Sequence, residues 1–208
     1  MSYGTGTRSG LTFTSKELFD LGLAWVTLSV AFALLLNRSA AGIRIEGLLE
    51  TTALCFVTAG VAFLLHELAH KVVAIHFGQV AEFRADYQML FLAIMSALIG
   101  FLFAAPGAVY HRGRITVREN GLISLAGPLT NHGLALLFLP LLLFGPGVLG
   151  RVGQLGVWIN LFLAAFNMIP FGPLDGKSVW NWNKAVFVAV FVPSILVAGY
   201  VVLFVGLR

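Results

Sequence analysis

The sequence predicts an all-α integral membrane protein, a polytopic helical bundle, and three observations carry that expectation. Hydrophobic residues fill 59% of the 208 positions. Charged residues make up only 11%, against roughly 25% in soluble domains, too few to cover a water-facing surface. The apolar residues also fall in runs long enough for a hydrocarbon core, which takes about 20 helical residues. The net charge of +4 comes without a dense basic run or a basic-aromatic stripe. Nucleic acid is therefore not expected as a partner, and the cations read as loop anchors at a membrane.

The elements follow in chain order. Residues 1–17 are polar and rich in Gly, Ser and Thr, and are expected to be mobile; 18–208 form one membrane-embedded domain. The first apolar run, 18–36, is too long for a typical signal h-region and reads as a retained helix ending at Asn37-Arg38-Ser39. The second, 48–75, contains Cys55, the one cysteine, which has no internal disulfide partner and reads as packing. The third, 87–105, ends in Ala104-Ala105-Pro106-Gly107-Ala108, which suits a break or a re-entrant turn. Such backbone is tolerated at membrane depth where protein or a wet cavity satisfies it. Runs at 120–145, 153–171 and 185–207 follow, separated by Gly145-Pro146-Gly147 and by a break from Gly172 to Asn183.

Lys and Arg orient the bundle. With the N-terminus cytoplasmic and 87–105 dipping in without crossing, one side holds Arg8, Lys16, Lys71, Arg84, Arg112, Arg114, Arg118, Lys177 and Lys184. The other holds Arg38, Arg44, Arg151 and Arg208, a nine-to-four positive-inside bias. The expectation is five crossings plus one re-entrant element in a cell membrane, with six crossings as the alternative. Ala108-Val109-Tyr110 and Arg114-Ile115-Thr116-Val117 around Gly113 leave room for a short membrane-edge β-hairpin, to which an extended peptide could add.

The chemistry concentrates in His66-Glu67-Leu68-Ala69-His70. Helical residues four apart share a face, so both imidazoles can bind one metal, and Glu67 can serve as general base for a water there. Ionisable groups in an apolar helix are costly, and a metal offsets that cost. Catalytic zinc takes three protein ligands and leaves a position open. His76 stands ten residues after His66, but Val73 occupies the midpoint where a turn-back needs glycine. A continuing helix carries His76 about 15 Å along the axis, so it reads as a helix-end residue. Among the acids, Glu82 and Asp86 lie beside Arg84, and Glu119 sits at a helix start where an acid suits the dipole. Asp175 follows Pro170-Phe171-Gly172-Pro173-Leu174, which unwinds a helix end and can turn a carboxylate inward; a simple turn aspartate is the other reading. With five crossings, the helices ending near His70 and Asp175 run the same way and end at similar depth.

These residues resemble the site-2 protease family of intramembrane zinc metalloproteases. The likeness spans roughly 55–180 and rests on three motifs in order: His66 to His70, Ala126-Gly127-Pro128-Leu129-Thr130-Asn131, and Asn167 through Pro170 to Leu174-Asp175-Gly176. Lys177 departs from the second glycine that many members have after the Asp-Gly pair. The resemblance implies one zinc per chain, held by His66, His70 and Asp175. It implies Asn167 beside the substrate carbonyl, with Gly127, Pro128, Asn131 and Pro170 shaping a three-helix catalytic core at about 48–77, 119–145 and 153–176. Its substrates would be transmembrane proteins, cut in or near their spans, at a site opening to the cytoplasm. A metal transporter, or a non-catalytic scaffold closed by a fourth ligand such as His111 or His132, are the rival readings. Glu67 discriminates against transport, which needs no base beside the ligand pair.

Overall fold

The computed structural model describes residues 10–103 and 105–200. Residues 1–9 of the expected mobile terminus, Ala104 of the expected break after the third run, and 201–208, which include the end of the last apolar run, lie outside the described residues. Four helical segments are long and apolar enough to cross a bilayer: Ser15–Leu36, Leu48–His76, Val117–Phe144 and Val148–Asn167. The strands among the described residues form two two-stranded sheets and no barrel.

Helix α1 (Ser15–Leu36) starts ahead of its apolar run because the Thr14 hydroxyl accepts from the Glu17 N–H as an N-cap. The early start places Glu17 and Asp20 on the helix, both 1% exposed. Lys71 reaches Glu17 from the neighbouring helix, its Nζ donating at 2.6 Å to each Glu17 oxygen and to the Thr12 carbonyl, while Asp20 accepts from the Tyr87 hydroxyl at 2.7 Å and pairs with Lys16. Lys71 is thus a buried partner rather than the water-facing anchor expected of it. Neither charge is tolerable at this burial without the other. A two-residue bridge between β1 (Arg38–Ser39) and β2 (Gly42–Ile43) closes the turn after α1.

The second span runs through α2 (Leu48–Cys55), a π-helical turn at Phe56–Gly60, and α3 (Val61–His76). The widened turn upsets the regular ladder, and the Trp25 indole donates to the Phe56 carbonyl at 3.0 Å. Cys55 is fully buried in the cluster that joins this span to α1.

The third apolar run forms α4 (Tyr87–Ile99), which Asp86 caps and Gly100 ends. Its 13 residues reach about 20 Å, short of a core about 30 Å thick. The strands on either side of it, β3 (Val80–Ala85) and β4 (Gly107–Arg112), pair antiparallel from Val80↔Arg112 to Ala85↔Gly107. The chain therefore enters and leaves this insertion at one place. The hairpin expected around Gly113 does not form. Thr116 and Glu119 make a reciprocal capping box that commits Val117 to the next helix, and β4 pairs with the Gly78–Asp86 segment instead. Glu82 pairs with Arg84 at 2.9 Å; the Thr14 hydroxyl and then Arg84 hold its carboxyl below the ordinary value.

Helix α1 also decides which edge of this sheet is open. Glu17 Oε1 accepts from the Phe83 N–H at 3.0 Å and Asp20 Oδ2 from the Ala85 N–H at 3.3 Å. Those N–H groups point away from β4, so their cross-strand partners Val109 and Gly107 point their own backbone groups away from β3. By the same alternation His111 does likewise. The outer edge of β3 is closed by carboxylates, and among the described residues the edge of β4 is free.

Helix α5 (Val117–Phe144) packs against α3, α6 (Val148–Asn167) and α7 (Asp175–Trp182). The sequence suggested only a break where α7 stands. An acid in its first turn suits the helix dipole, and Val179 packs with Leu125, Met168 and Phe187. Helix α8 (Lys184–Tyr200) lies against α6 and α7.

Candidate metal centre

His66 and His70 lie one turn apart on the buried face of α3, as the i, i+4 spacing requires. Their ring nitrogens are not equivalent. His70 Nδ1 lies 2.7 Å from the Ile123 carbonyl on α5, which can only accept, so Nδ1 carries the proton. His66 Nδ1 lies 2.6 Å from Oδ1 of Asn131, also on α5. Both Nε2 lone pairs are left free, and they stand 2.9 Å apart.

Asp175, the first residue of α7, completes the group. Its Oδ2 lies 3.2 Å from His66 Nε2 and 3.3 Å from His70 Nε2. The loop that delivers it folds tightly: a Cβ on Gly176 would stand 2.1 Å from the Met168 carbonyl oxygen, so only glycine lets α7 start against the end of α6. Gly127 performs the equivalent service on α5. A Cβ there would stand 2.5 Å from His66 Cε1, His66 Nε2 and His70 Nε2.

Two imidazole lone pairs and a carboxylate oxygen converge on one point, an arrangement that repels itself unless a cation lies among them. Two nitrogens and one oxygen form a donor set that zinc accepts, and the three residues fit it. Among the described residues no other group of three His, Cys, Asp or Glu side chains converges in this way. Glu67 is 8% exposed, and its buried Oε2 has no hydrogen-bond partner among the described residues. A buried carboxylate oxygen without a donor is costly, which marks it as a group held ready for something that enters.

A cavity of about 280 Å³ opens on these side chains. His66, Glu67, His70 and Asp175 line it, as do Asn167 at the end of α6 and the consecutive residues Ala105 to His111. The free edge of β4 thus faces the same space as the metal-ligand group. One amide hydrogen of Asn167 is committed to the Leu163 carbonyl at 3.0 Å; the amide has a second. Pro128 is buried in α5, and Pro170 is exposed in the loop between α6 and α7.

The residues weighed as a closing fourth ligand stand apart from the group. His111 lines the cavity from β4. His132 is engaged elsewhere, with Nδ1 2.8 Å from the Pro128 carbonyl and Nε2 2.9 Å from Ser194 Oγ. His76 ends α3 against the Phe77 ring. Sequence reasoning missed Asn160, fully buried on α6, whose Oδ1 accepts from Asn131 at 2.9 Å. Its only signal was an amide in the apolar run 153–171.

Comparison with known proteins gives the group its context. A protein of Methanocaldococcus jannaschii named "Putative zinc metalloprotease" is 41% identical over 187 residues, 88% of this chain and 93% of that one. A Bacillus subtilis protein of the same name is 33% identical over 143 residues, 59% of this chain and 65% of its own length. No family model matches the chain, and no solved structure does.

Proposed function

The chain belongs to the zinc metalloprotease family of these relatives, and from that premise we propose that it is an intramembrane protease of the site-2 type. It hydrolyses peptide bonds in or near the transmembrane segments of membrane proteins. The observation that carries the reading is the meeting, in one cavity, of His66, His70 and Asp175 with the unpartnered carboxylate of Glu67.

His66 and His70 through Nε2, and Asp175 through Oδ2, would hold one zinc ion per chain. Bound there, zinc supplies Lewis acidity, polarising a carbonyl and bringing the pKa of water at the site toward about 7. Glu67 takes the proton of the attacking water and returns it to the leaving amine. The second amide hydrogen of Asn167 is aimed at the developing oxyanion. Gly127, Pro128 and Asn131 hold α5 against the ligand helix, and Pro170 shapes the turn that brings in Asp175.

Substrate enters in extended form, because a helix hides its carbonyls in its own hydrogen bonds. The free edge of β4 receives it, with the N–H and C=O groups of Gly107, Val109 and His111 pairing to its backbone. The pairing of β3 with β4 and the short reach of α4 support five crossings and one re-entrant element, and the bias of Lys and Arg is the ground for proposing that the site opens to the cytoplasm. The test is to reconstitute the purified protein in lipid vesicles with transmembrane peptides and follow cleavage with and without a chelator. Chelator-sensitive cleavage is expected, restored by zinc; no cleavage of any transmembrane peptide by zinc-loaded protein counts against the reading.

A further inference from the structure

We propose that Asn160 is a positioning residue that fixes, through Asn131, which nitrogen of His66 carries its proton. The inference deepens the zinc reading and rests on it for its consequence, though not for its geometry.

His66, Asn131 and Asn160 form one chain of hydrogen bonds whose polarity is fixed. At its far end stands the backbone carbonyl of Gly156, which can only accept. It lies 2.8 Å from Asn160 Nδ2, so the amide nitrogen of Asn160 points that way and its oxygen points to Asn131. That oxygen accepts from Asn131 Nδ2 at 2.9 Å, which turns the Asn131 oxygen toward His66. Asn131 Oδ1 then faces His66 Nδ1 at 2.6 Å and requires a hydrogen on it. The chain of donors and acceptors admits one direction only, and it leaves the lone pair of His66 on Nε2, facing His70 and Asp175.

Asn131 cannot set that direction unaided. An amide presents either end at equal steric cost, and its other contact, Nδ2 to the Ala62 carbonyl, is long at 3.4 Å. Flipped, Asn131 would offer N–H to His66 Nδ1 and move the imidazole proton to Nε2, where it blocks a metal. Asn131 and Asn160 are both fully buried, so water does not relieve a reversed chain. His70 needs no such relay, since a backbone carbonyl faces its Nδ1 directly.

Two substitutions of Asn160 separate this role from packing. Asn160→Asp keeps an acceptor facing Asn131 in either protonation state, and when protonated it also donates to Gly156. Asn160→Leu fills similar space with no polarity. A packing role in an apolar span favours leucine over aspartate; the relay requires the reverse order.

The experiment uses the full-length protein in detergent and reads two quantities. Zinc affinity is measured by chelator competition, and the His66 tautomer by imidazole ¹⁵N shifts of metal-free protein, at a pH high enough to keep the rings neutral. Expected are a proton on Nδ1 in wild type and Asn160→Asp, its loss or mixing in Asn160→Leu, and zinc binding weakened about 10–100-fold in the leucine variant alone. If Asn160→Leu does not fold, Asn160→Ala carries the same expectation. A wild type protonated on Nε2, an apolar variant with unchanged tautomer and zinc affinity, or an aspartate variant worse than the apolar one would each overturn the proposal. Because the tautomer is read without zinc or peptide, a failure of the zinc reading would appear separately, as zinc not bound by wild type, and a failure of the protease reading would leave both measured quantities as expected.

Discussion

At the scale of single residues, the ligands and the base are separable by what their loss removes. Glu67→Gln keeps the size of the side chain but cannot take a proton from water. Its cleavage of a reconstituted transmembrane substrate is expected to fall about 10²–10⁴-fold while metal analysis still finds zinc. Asp175→Ala is expected to fail differently, by losing zinc, since it removes one of three converging ligand atoms; zinc retained undiminished would remove Asp175 from the set. Gly127 sets two effects in opposition. Alanine in a helix interior is favoured over glycine by about 1 kcal/mol, so Gly127→Ala gains as helix. The new methyl, however, would stand 2.5 Å from both metal-facing nitrogens, and the rings must turn aside. The expectation is a protein that still folds, with the helix gain offset by about 1–3 kcal/mol of overpacking, and that binds zinc about tenfold or more weakly, read by chelator competition. His66, Glu67 and His70 were legible from i, i+4 spacing and Asp175 as a candidate from the Pro- and Gly-rich helix end before it, whereas Gly127 entered only through the family resemblance. Asn160 was not legible, because its role lies in the direction of a hydrogen bond between two helices.

At the scale of elements, the sequence located most helices and missed the strand pairing. Long apolar runs announce spans by length alone, which is why α1, α5 and α6 fall within a few residues of expectation. Strand pairing depends on partners far apart in sequence, here 80–85 with 107–112, so β4 was recognisable as a strand but not its mate. Helix α7 escaped for the same reason, since its stabilising contacts come from Leu125, Met168 and Phe187 on other elements. The sheet's geometry makes a sharp prediction for substrate binding. Proline removes one N–H, and at Val109 that N–H belongs to the free edge, where proline is tolerated. At Tyr110 the N–H faces β3, and proline there would break the ladder. Val109→Pro is therefore expected to keep fold and zinc but to lower kcat/KM for a transmembrane substrate up to about tenfold, the worth of one hydrogen bond. Tyr110→Pro is expected to lose stability as well. Equal kinetics for Val109→Pro and wild type would mean that substrate does not pair with this edge.

At the scale of the whole molecule, the site's depth and the chain's topology depend on each other. His70 lies near the end of α3 and Asp175 just beyond α6, so the two meet only if both helices run toward the same face. That in turn requires an even number of crossings from His70 to Asp175, here α5 and α6, and α4 is the element that decides it. Charge supports the arrangement even after Lys71 is set aside as a buried ion pair, since eight cations remain on the proposed cytoplasmic side against four opposite. The sheet supports it independently. Val80 and Arg112 are cross-strand partners, and neighbouring strands lie about 4.8 Å apart, a separation that cannot straddle a core about 30 Å thick. Single cysteines introduced by Val80→Cys and Arg114→Cys, each in a Cys55→Ala background, therefore should react with a membrane-impermeant thiol reagent from the same side of sealed vesicles. Both positions are exposed, so failure to label would not reflect burial in the fold. Arg114 is preferred to Gly113, where a Cβ would stand 2.5 Å from Gln79 Oε1 on backbone with φ +140. Labelling from opposite sides would make α4 a true crossing, separate β3 from β4 by the width of the bilayer, and leave Asp175 on the wrong face to share a metal with His70.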